Sequence, residues 1–186
     1  MSNQDHTLDH IVLGAGCFWC VEAVYQQLKG VHDVVSGYSG GHVENPSYEQ
    51  ICGKKTGHAE VIKVSYDPQV ISLEEILEVF FTTHDPTTPD RQGNDVGPQY
   101  RSAIFYANDE QKEIAEQVKA RMDQADLYDT PIVTEVSPLI NFYEAEGYHQ
   151  NYYQSNPYQP YCSFVISPKV AKFRKTHADK LKAEAS

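Results

Sequence analysis

Positive charge is scarce in this chain. Its 15 lysines and arginines face 26 aspartates and glutamates, for a net charge of −11 over 186 residues. The acidic residues are spread along the sequence, so no basic stripe can receive phosphates, which excludes nucleic acid as a partner. Long apolar runs are absent as well. The longest uncharged one, Ile11 to Val21, is far too short to cross a bilayer, so no membrane segment is expected. The opening residues MSNQDHTLDH lack the positive n-region of a secretion signal, and the expected location is the cytoplasm. Cysteine is sparse too: the four residues at 17, 20, 52 and 162 match no small disulfide scaffold, and a chain of this length can bury its core without staples. No second Cys-x-x-Cys or His-x-x-x-His pair joins Cys17 and Cys20, so Cys52 and His58 do not complete a closed metal site. Neither a metal nor another cofactor is expected.

The apolar residues that are present fall into short, punctuated segments. LDHIVLG, 8 to 14, has the composition of a buried strand that stops at glycine. Cys17 to Leu28 places Val21, Val24, Tyr25 and Leu28 at helical spacing, and Gly30 ends the run. VHDVVSGYS has strand character, and the Gly/Pro/Asn-rich stretch GGHVENPSYEQICGKKTG separates it from another strand, HAEVIKVSY. That stretch is a candidate functional loop. Ser72-Leu73-Glu74-Glu75 is a capping-box pattern opening a helix to about His84, with Leu73, Ile76, Leu77, Phe80 and Phe81 as its apolar stripe. The loop DPTTPDRQGNDVGPQY leads to a strand at RSAIFY.

The order β-α-β-β-α-β predicts an α+β fold, a ferredoxin-like split βαβ sandwich with an antiparallel or mixed sheet and helices packed on it. A helix over 109–122, a strand at PIVTEV and a C-terminal helix over about 168–182, with Ser167 as cap and Pro168 in the first turn, extend it. Residues 139–166 have weak periodicity and are expected to wrap irregularly around the core. With no internal repeat and no shift of composition, 1–186 is expected to be a single domain with its core over about 8–166.

The chemical question lies in GAGCFWC, Gly14 to Cys20. Cys17 stands where a strand ends in glycines and a helix begins, so backbone N–H groups and the positive end of the helix dipole favour a thiolate there. Free cysteines are more often inert core residues, but this position favours a nucleophile. Cys17 and Cys20 have the spacing of a redox dithiol, yet Phe18 and Trp19 between them are bulky and suit the wall of a pocket. Glu60 lies in the HAEVIKVSY strand, where a carboxylate either faces water or keeps a proton that has a task. Asp95, beside glycine in a loop, could simply make a turn, and Tyr48 and Tyr100 could simply pack. Many of the thirteen tyrosines lie in NFYEAEGYHQNYYQSNPYQPYC, a segment expected to pack by its rings.

Taken together, these segments resemble the peptide methionine sulfoxide reductases of the A type. The resemblance rests on GCFW, GYSGG, NPSYEQICGKKTGHAEVIKVSYDP, HDPTTPDRQGNDVGPQYRSAIFY and NFYEAEGYHQNYYQSNPYQPYC, in that order, and extends from about residue 10 to 165. It implies a ferredoxin-like core and thiol-dependent reduction of the S epimer of methionine sulfoxide, in proteins and as the free amino acid. It also implies that Cys17 is the nucleophile, Phe18 and Trp19 the pocket for the S-methyl group, and Glu60 the acid. Tyr48, Asp95 and Tyr100 match the polar groups around the sulfoxide oxygen, Cys162 matches the resolving cysteine, and Cys52 is taken as structural.

The implied chemistry suits these residue types. A thiolate can attack the sulfoxide sulfur only if the oxygen, a poor leaving group, is protonated, so Glu60 must hold a proton near neutral pH while tyrosine hydroxyls donate to the same oxygen. The resulting sulfenic acid condenses with a second thiol, and thioredoxin then reduces the disulfide. Three departures from the family pattern stand out, the first being an extra residue in NPYQPYC compared with the shorter form of that motif. Cys20 occupies a position where the family often has glycine and so offers an alternative resolving thiol, and no cysteine follows Cys162 to serve as a second recycling thiol. Two rival readings use fewer of these residues. A general dithiol oxidoreductase would need Cys17 and Cys20 but not Glu60, and a module binding methionine-rich peptides through Phe18 and Trp19 would tolerate Cys17→Ser.

Overall fold

The computed structural model describes residues 7–182. The apolar run that ends in glycine forms β1 (Asp9–Ala15), and the chain turns through Gly16, at φ +90°, into α1 (Phe18–Tyr25). A Cβ at Gly16 would meet the Gln92 side chain at 2.7 Å, so both the backbone conformation and the close neighbour call for glycine. β2 (Val31–Ser39), α2 (Tyr48–Cys52), β3 (Ala59–Tyr66) and α3 (Leu73–Thr83) follow. Two short strands, β4 (Arg91–Gln92) and β5 (Asp95–Val96), precede β6 (Ser102–Tyr106) and α4 (Asp109–Gln124). The chain continues through β7 (Glu135–Pro138), β8 (Tyr143–Glu144) and α5 (Tyr152–Ser155). A π-helical turn, Cys162–Ile166, then leads into α6 (Ser167–Thr176).

Six strands form one sheet in the order β7-β6-β1-β3-β2-β8, and β4 and β5 pair apart from it. β3 lies between β1 and β2 and β1 lies between β3 and β6, all antiparallel neighbours, which is the split βαβ arrangement expected. β8 extends β2 in antiparallel fashion and β7 pairs with β6 in parallel, so the sheet is mixed.

Apolar residues divide between the two faces of the sheet. Ile11, Leu13, Ile62 and Val64 join Val24, Leu77, Phe80, Phe81 and Val118 of α1, α3 and α4 in the main core. Val12, Val61, Ala103 and Phe105 form a second cluster, covered by Leu139 and Phe142. Both faces of β3 are therefore covered, and of its residues only Lys63 is not buried. Alternation along HAEVIKVSY separates two dry faces rather than a wet face from a dry one.

Capping follows the local sequence. Ser72 Oγ accepts the Glu75 N–H at 3.1 Å, as the capping-box pattern predicts, and Asn108 caps α4 by accepting the Gln111 N–H at 2.9 Å. A full capping box at Ser47 and Gln50 starts α2 inside the stretch expected to be loop.

Three other segments differ from the sequence expectation. PIVTEV joins the sheet only at Glu135, and just before it the Thr134 hydroxyl shares a 2.7 Å hydrogen bond with that of Ser102. The C-terminal helix ends at Thr176 instead of continuing to 182, since backbone bonds from Lys29 N–H to Lys180 and from Lys182 N–H to Gln27 draw the last turn onto the end of α1. Residues 139–166 do wrap the core, but they contain β8, α5 and the π turn.

Candidate active site

The site forms where β1 ends. Glu60 pairs in register with Tyr38 of β2, near the start of β3, and its side chain shares a face with Ile62 and Val64. That face carries α1, whose N-cap is Cys17. Glu60 is only 2% exposed, and its Oε1 accepts the Phe18 N–H at 3.2 Å. The nucleophile candidate and the acid candidate, 43 positions apart in sequence, are thus tied through one backbone amide at the start of α1.

Burial pushes the Glu60 carboxyl up to about 8, with the charges of Asp95 and Cys20 adding to the effect and the Phe18 N–H opposing it. A carboxyl held this way carries its proton at neutral pH. Burial likewise raises Tyr48 and Tyr100, and the charge of Glu60 adds to both, so each phenol remains a hydrogen-bond donor. Asp95 accepts a 2.8 Å hydrogen bond from the Tyr161 hydroxyl.

Cys17 behaves differently from the sequence expectation of a helix-stabilised thiolate. The Trp19 N–H does favour the thiolate, but burial, the hydrogen bond to Cys20 and the nearby Glu60 outweigh it and raise the Cys17 thiol well above its ordinary range. Cys20 moves the other way. The hydrogen bond from Cys17, aided by the charge of Lys169, brings it down to about 7 against the effect of burial. The two thiols titrate as one unit, with Cys20 the more acidic member.

Phe18 and Trp19 form an aromatic wall that depends on the C-terminal wrap. Trp19 stacks on Tyr152 with ring centroids 3.8 Å apart and donates its indole N–H to His149 at 3.1 Å. Phe18 packs on Tyr38 and His149, and Tyr48 lies over His149 at 4.4 Å. The buried Glu22 of α1 accepts the Ser36 hydroxyl at 3.2 Å and the backbone N–H groups of Asn151 and Tyr152, which holds the wrap against α1. Tyr38, Glu22, His149, Tyr152 and Tyr161 are not evident from sequence reasoning, although the crowding of tyrosines around EGYHQNYYQ is a signal of the wall they help to build.

All four cysteines are free thiols. Cys162, at the start of the π turn, packs in one cluster with Cys17 and Cys20. Cys52, expected to be structural, is exposed at the end of α2, where its thiol meets the Tyr48 hydroxyl. Among the described residues no group of three or more His, Cys, Asp or Glu side chains is arranged to hold a metal ion. No helix among them is long and apolar enough to cross a membrane.

Comparison with known proteins agrees with this geometry. The model of the family "Peptide methionine sulfoxide reductase" matches residues 9–182. A peptide methionine sulfoxide reductase MsrA of Trichodesmium erythraeum is 57% identical over 176 residues, covering 95% of this chain and 99% of that protein. An MsrA of Saccharolobus solfataricus is 55% identical over 170 residues, covering 91% and 95%. Among solved structures, reduced Mxr1 from Saccharomyces cerevisiae superimposes with a TM-score of 0.78 at 35% identity, covering 87% of this chain and 92% of that one. Mxr1 in complex with Trx2 gives 0.55 at 29% identity, covering 82% and 89%. A cysteine at a helix N-cap tied to a proton-bearing glutamic acid, an aromatic wall beside it and relatives at this identity along nearly the whole chain lead to one assignment: the protein belongs to the A type of the peptide methionine sulfoxide reductase family, the peptide-methionine (S)-S-oxide reductases.

Proposed function

We propose that the protein reduces the S epimer of methionine sulfoxide with Cys17 as nucleophile and Glu60 as general acid. The observation that carries this reading is the buried, protonated Glu60 joined through the Phe18 N–H to the start of the helix that Cys17 caps. The Cys20 thiolate takes the Cys17 proton as the Cys17 sulfur attacks the sulfoxide sulfur, and Glu60 gives its proton to the oxygen. The bond from oxygen to the methionine sulfur breaks, the protonated oxygen passes to the Cys17 sulfur as sulfenic acid, methionine departs as the thioether, and Glu60 is left as carboxylate to be reprotonated from solvent. Tyr48 and Tyr100 donate hydrogen bonds to the oxygen as charge develops on it. Asp95 stabilises the protonated form of Glu60 and anchors Tyr161.

Three fixed points account for selection of one epimer. Sulfur lies at Cys17, oxygen at Glu60 and the phenols, and the methyl group against Phe18 and Trp19. The remaining substituent, the rest of the amino acid, can then leave toward solvent for one chirality only. An outward main chain suits both a peptide and the free amino acid. A thioredoxin-type dithiol would return the oxidised cysteines to thiols, and a reducing cytoplasm suits four free cysteines.

The test is a single turnover without reductant. Pre-reduced protein mixed with excess racemic methionine sulfoxide, free or in a peptide, should yield at least one methionine per chain, with loss of the S epimer alone and of two or more thiols. Consumption of both epimers, or intact thiols with no methionine, would refute the proposal.

A further inference from the structure

We propose that the groove between α2 and β8 holds the stretch of a substrate protein next to its oxidised methionine and selects a basic residue there. The groove's role rests on the reductase reading above and adds to it a preferred sequence context. The groove measures about 560 Å³, a size found in natural ligand sites. Residues 45–47, which lead into α2, line one side, and Phe142, Tyr143, Glu144 and Glu146 line the other.

This groove shares a wall with the residues assigned to the sulfoxide. The Glu146 carboxylate accepts the Tyr48 N–H at 3.1 Å and the Tyr38 hydroxyl at 3.2 Å, and Ser47 directly precedes Tyr48 in the chain. An extended peptide advances about 3.3–3.6 Å per residue, so positions two or three away from the methionine sulfoxide lie along the groove. Among the described residues β8 is the outermost strand on its side of the sheet and pairs with β2 alone, which leaves its other edge to an arriving chain.

Charge decides which side chain the groove takes. Among the described residues no lysine or arginine forms an ion pair with Glu144 or Glu146. Lys63 lies over the Phe142 ring, 5.8 Å from its centre, and pairs with neither carboxylate. Burial opposes the charge of Glu146, but hydrogen bonds from its own N–H, the Tyr48 N–H and the Tyr38 and Tyr148 hydroxyls outweigh it and hold the carboxyl below its usual range. Glu144 is exposed at the rim. The stem of a lysine or arginine suits Pro46 and the rings of Phe142 and Tyr143, while its charged end meets the carboxylates.

His149 marks the occupant as a peptide rather than a free cation. It is fully buried, and its Nδ1 accepts the Trp19 indole N–H, so the proton of the neutral ring is on Nε2. That Nε2–H has no acceptor, and it faces the Glu146 carboxylate across 3.9 Å, too far for a hydrogen bond. A main-chain carbonyl entering beside Glu146, past the exposed Tyr148 ring 4.0 Å from the imidazole, would complete this costly unpaired donor.

The experiment compares three peptides that carry lysine, alanine or glutamate two positions from a central methionine sulfoxide, on both sides, with dithiothreitol as reductant. kcat/KM should fall in the order lysine, alanine, glutamate, with lysine at least ~5-fold above glutamate at low salt and the gap closing as salt rises. E144Q should lower the lysine-to-glutamate ratio at least ~2-fold. Each ratio is taken within one preparation, so a loss of folded protein cancels. E116Q removes the same charge from the exposed side of α4, which packs near β6 and β7 at the other end of the sheet, and should leave the ratio unchanged. Equal kcat/KM for the three peptides, or an equal fall of the ratio in E144Q and E116Q, would overturn the groove and leave the reductase reading standing. Reduction of none of the three peptides would overturn both.

Discussion

Replacing Glu60 by glutamine isolates the proton that the mechanism needs. The amide is nearly the same size and its oxygen can still accept the Phe18 N–H, so packing at this 2%-exposed position changes little. What is lost is the transferable proton. Burial moves this carboxyl from about 4.5 to about 8, a bias toward the neutral acid on the order of 5 kcal/mol. General acid catalysis is worth about 10²- to 10⁴-fold, and E60Q should lose that much in single-turnover methionine release while substrate affinity is retained. The pH dependence has a defined sign. The protonated form is active, so the wild-type rate rises as the Cys17–Cys20 pair loses its first proton at about 7 and falls roughly tenfold per unit above about pH 8 as Glu60 ionises. In E60Q that decline should vanish. Quenched-flow methionine release from pH 6 to 10 measures both effects. An E60Q rate within about threefold of wild type, or a decline above pH 8 that survives in E60Q, would refute the assignment.

Tyr48→Phe and Tyr100→Phe should each slow turnover by on the order of 10²-fold, with the double variant losing less than the product because both donate to one oxygen; wild-type rates in either would remove that phenol from the site. Trp19→Ala removes the stack on Tyr152 and the bond to His149, so it should raise KM more than it lowers kcat and cost about 3 kcal/mol in urea denaturation; an unchanged KM would argue against the aromatic pocket. His84 donates its Nδ1–H to the Phe80 carbonyl, accepts the Ser102 hydroxyl at Nε2 and is pushed down by burial to about 4. The unfolded chain takes up this proton below about pH 6.5 and the native ring resists it until about 4, so stability is complete above 6.5 and lost as pH falls toward 4. Because the residue keeps some solvent contact, the loss is discounted to about 1–2 kcal/mol, and His84→Gln should flatten this part of a urea-stability profile; an identical pH slope in the variant would refute the account.

Much of the site follows from local sequence. The apolar run ending in Gly-Ala-Gly and the helical spacing after it place Cys17 at a strand-to-helix junction, and the β-α-β-β-α-β order of segments specifies the central sheet. These features are legible because periodicity, caps and glycine conformations act over a few residues. The Ser47/Gln50 capping box of α2 was legible by the same means, despite its setting among glycines and prolines.

Tertiary structure decided the rest, because burial and charge at a point depend on residues distant in sequence. HAEVIKVSY could have presented Glu60 to water; only the cover on both faces of β3 and the presence of Asp95 and Cys20 keep its proton in place. The helix start alone favoured a Cys17 thiolate, and only the packed site, with Glu60 and Cys20 beside that thiol, reverses the preference toward Cys20. The wall around Trp19 likewise needs His149 and Tyr152, which arrive from a wrap whose weak periodicity carries no local sign of where it will dock. The sequence by itself determined the junction and the acid's strand, and only the fold decided which groups hold protons and which thiol lies next to which.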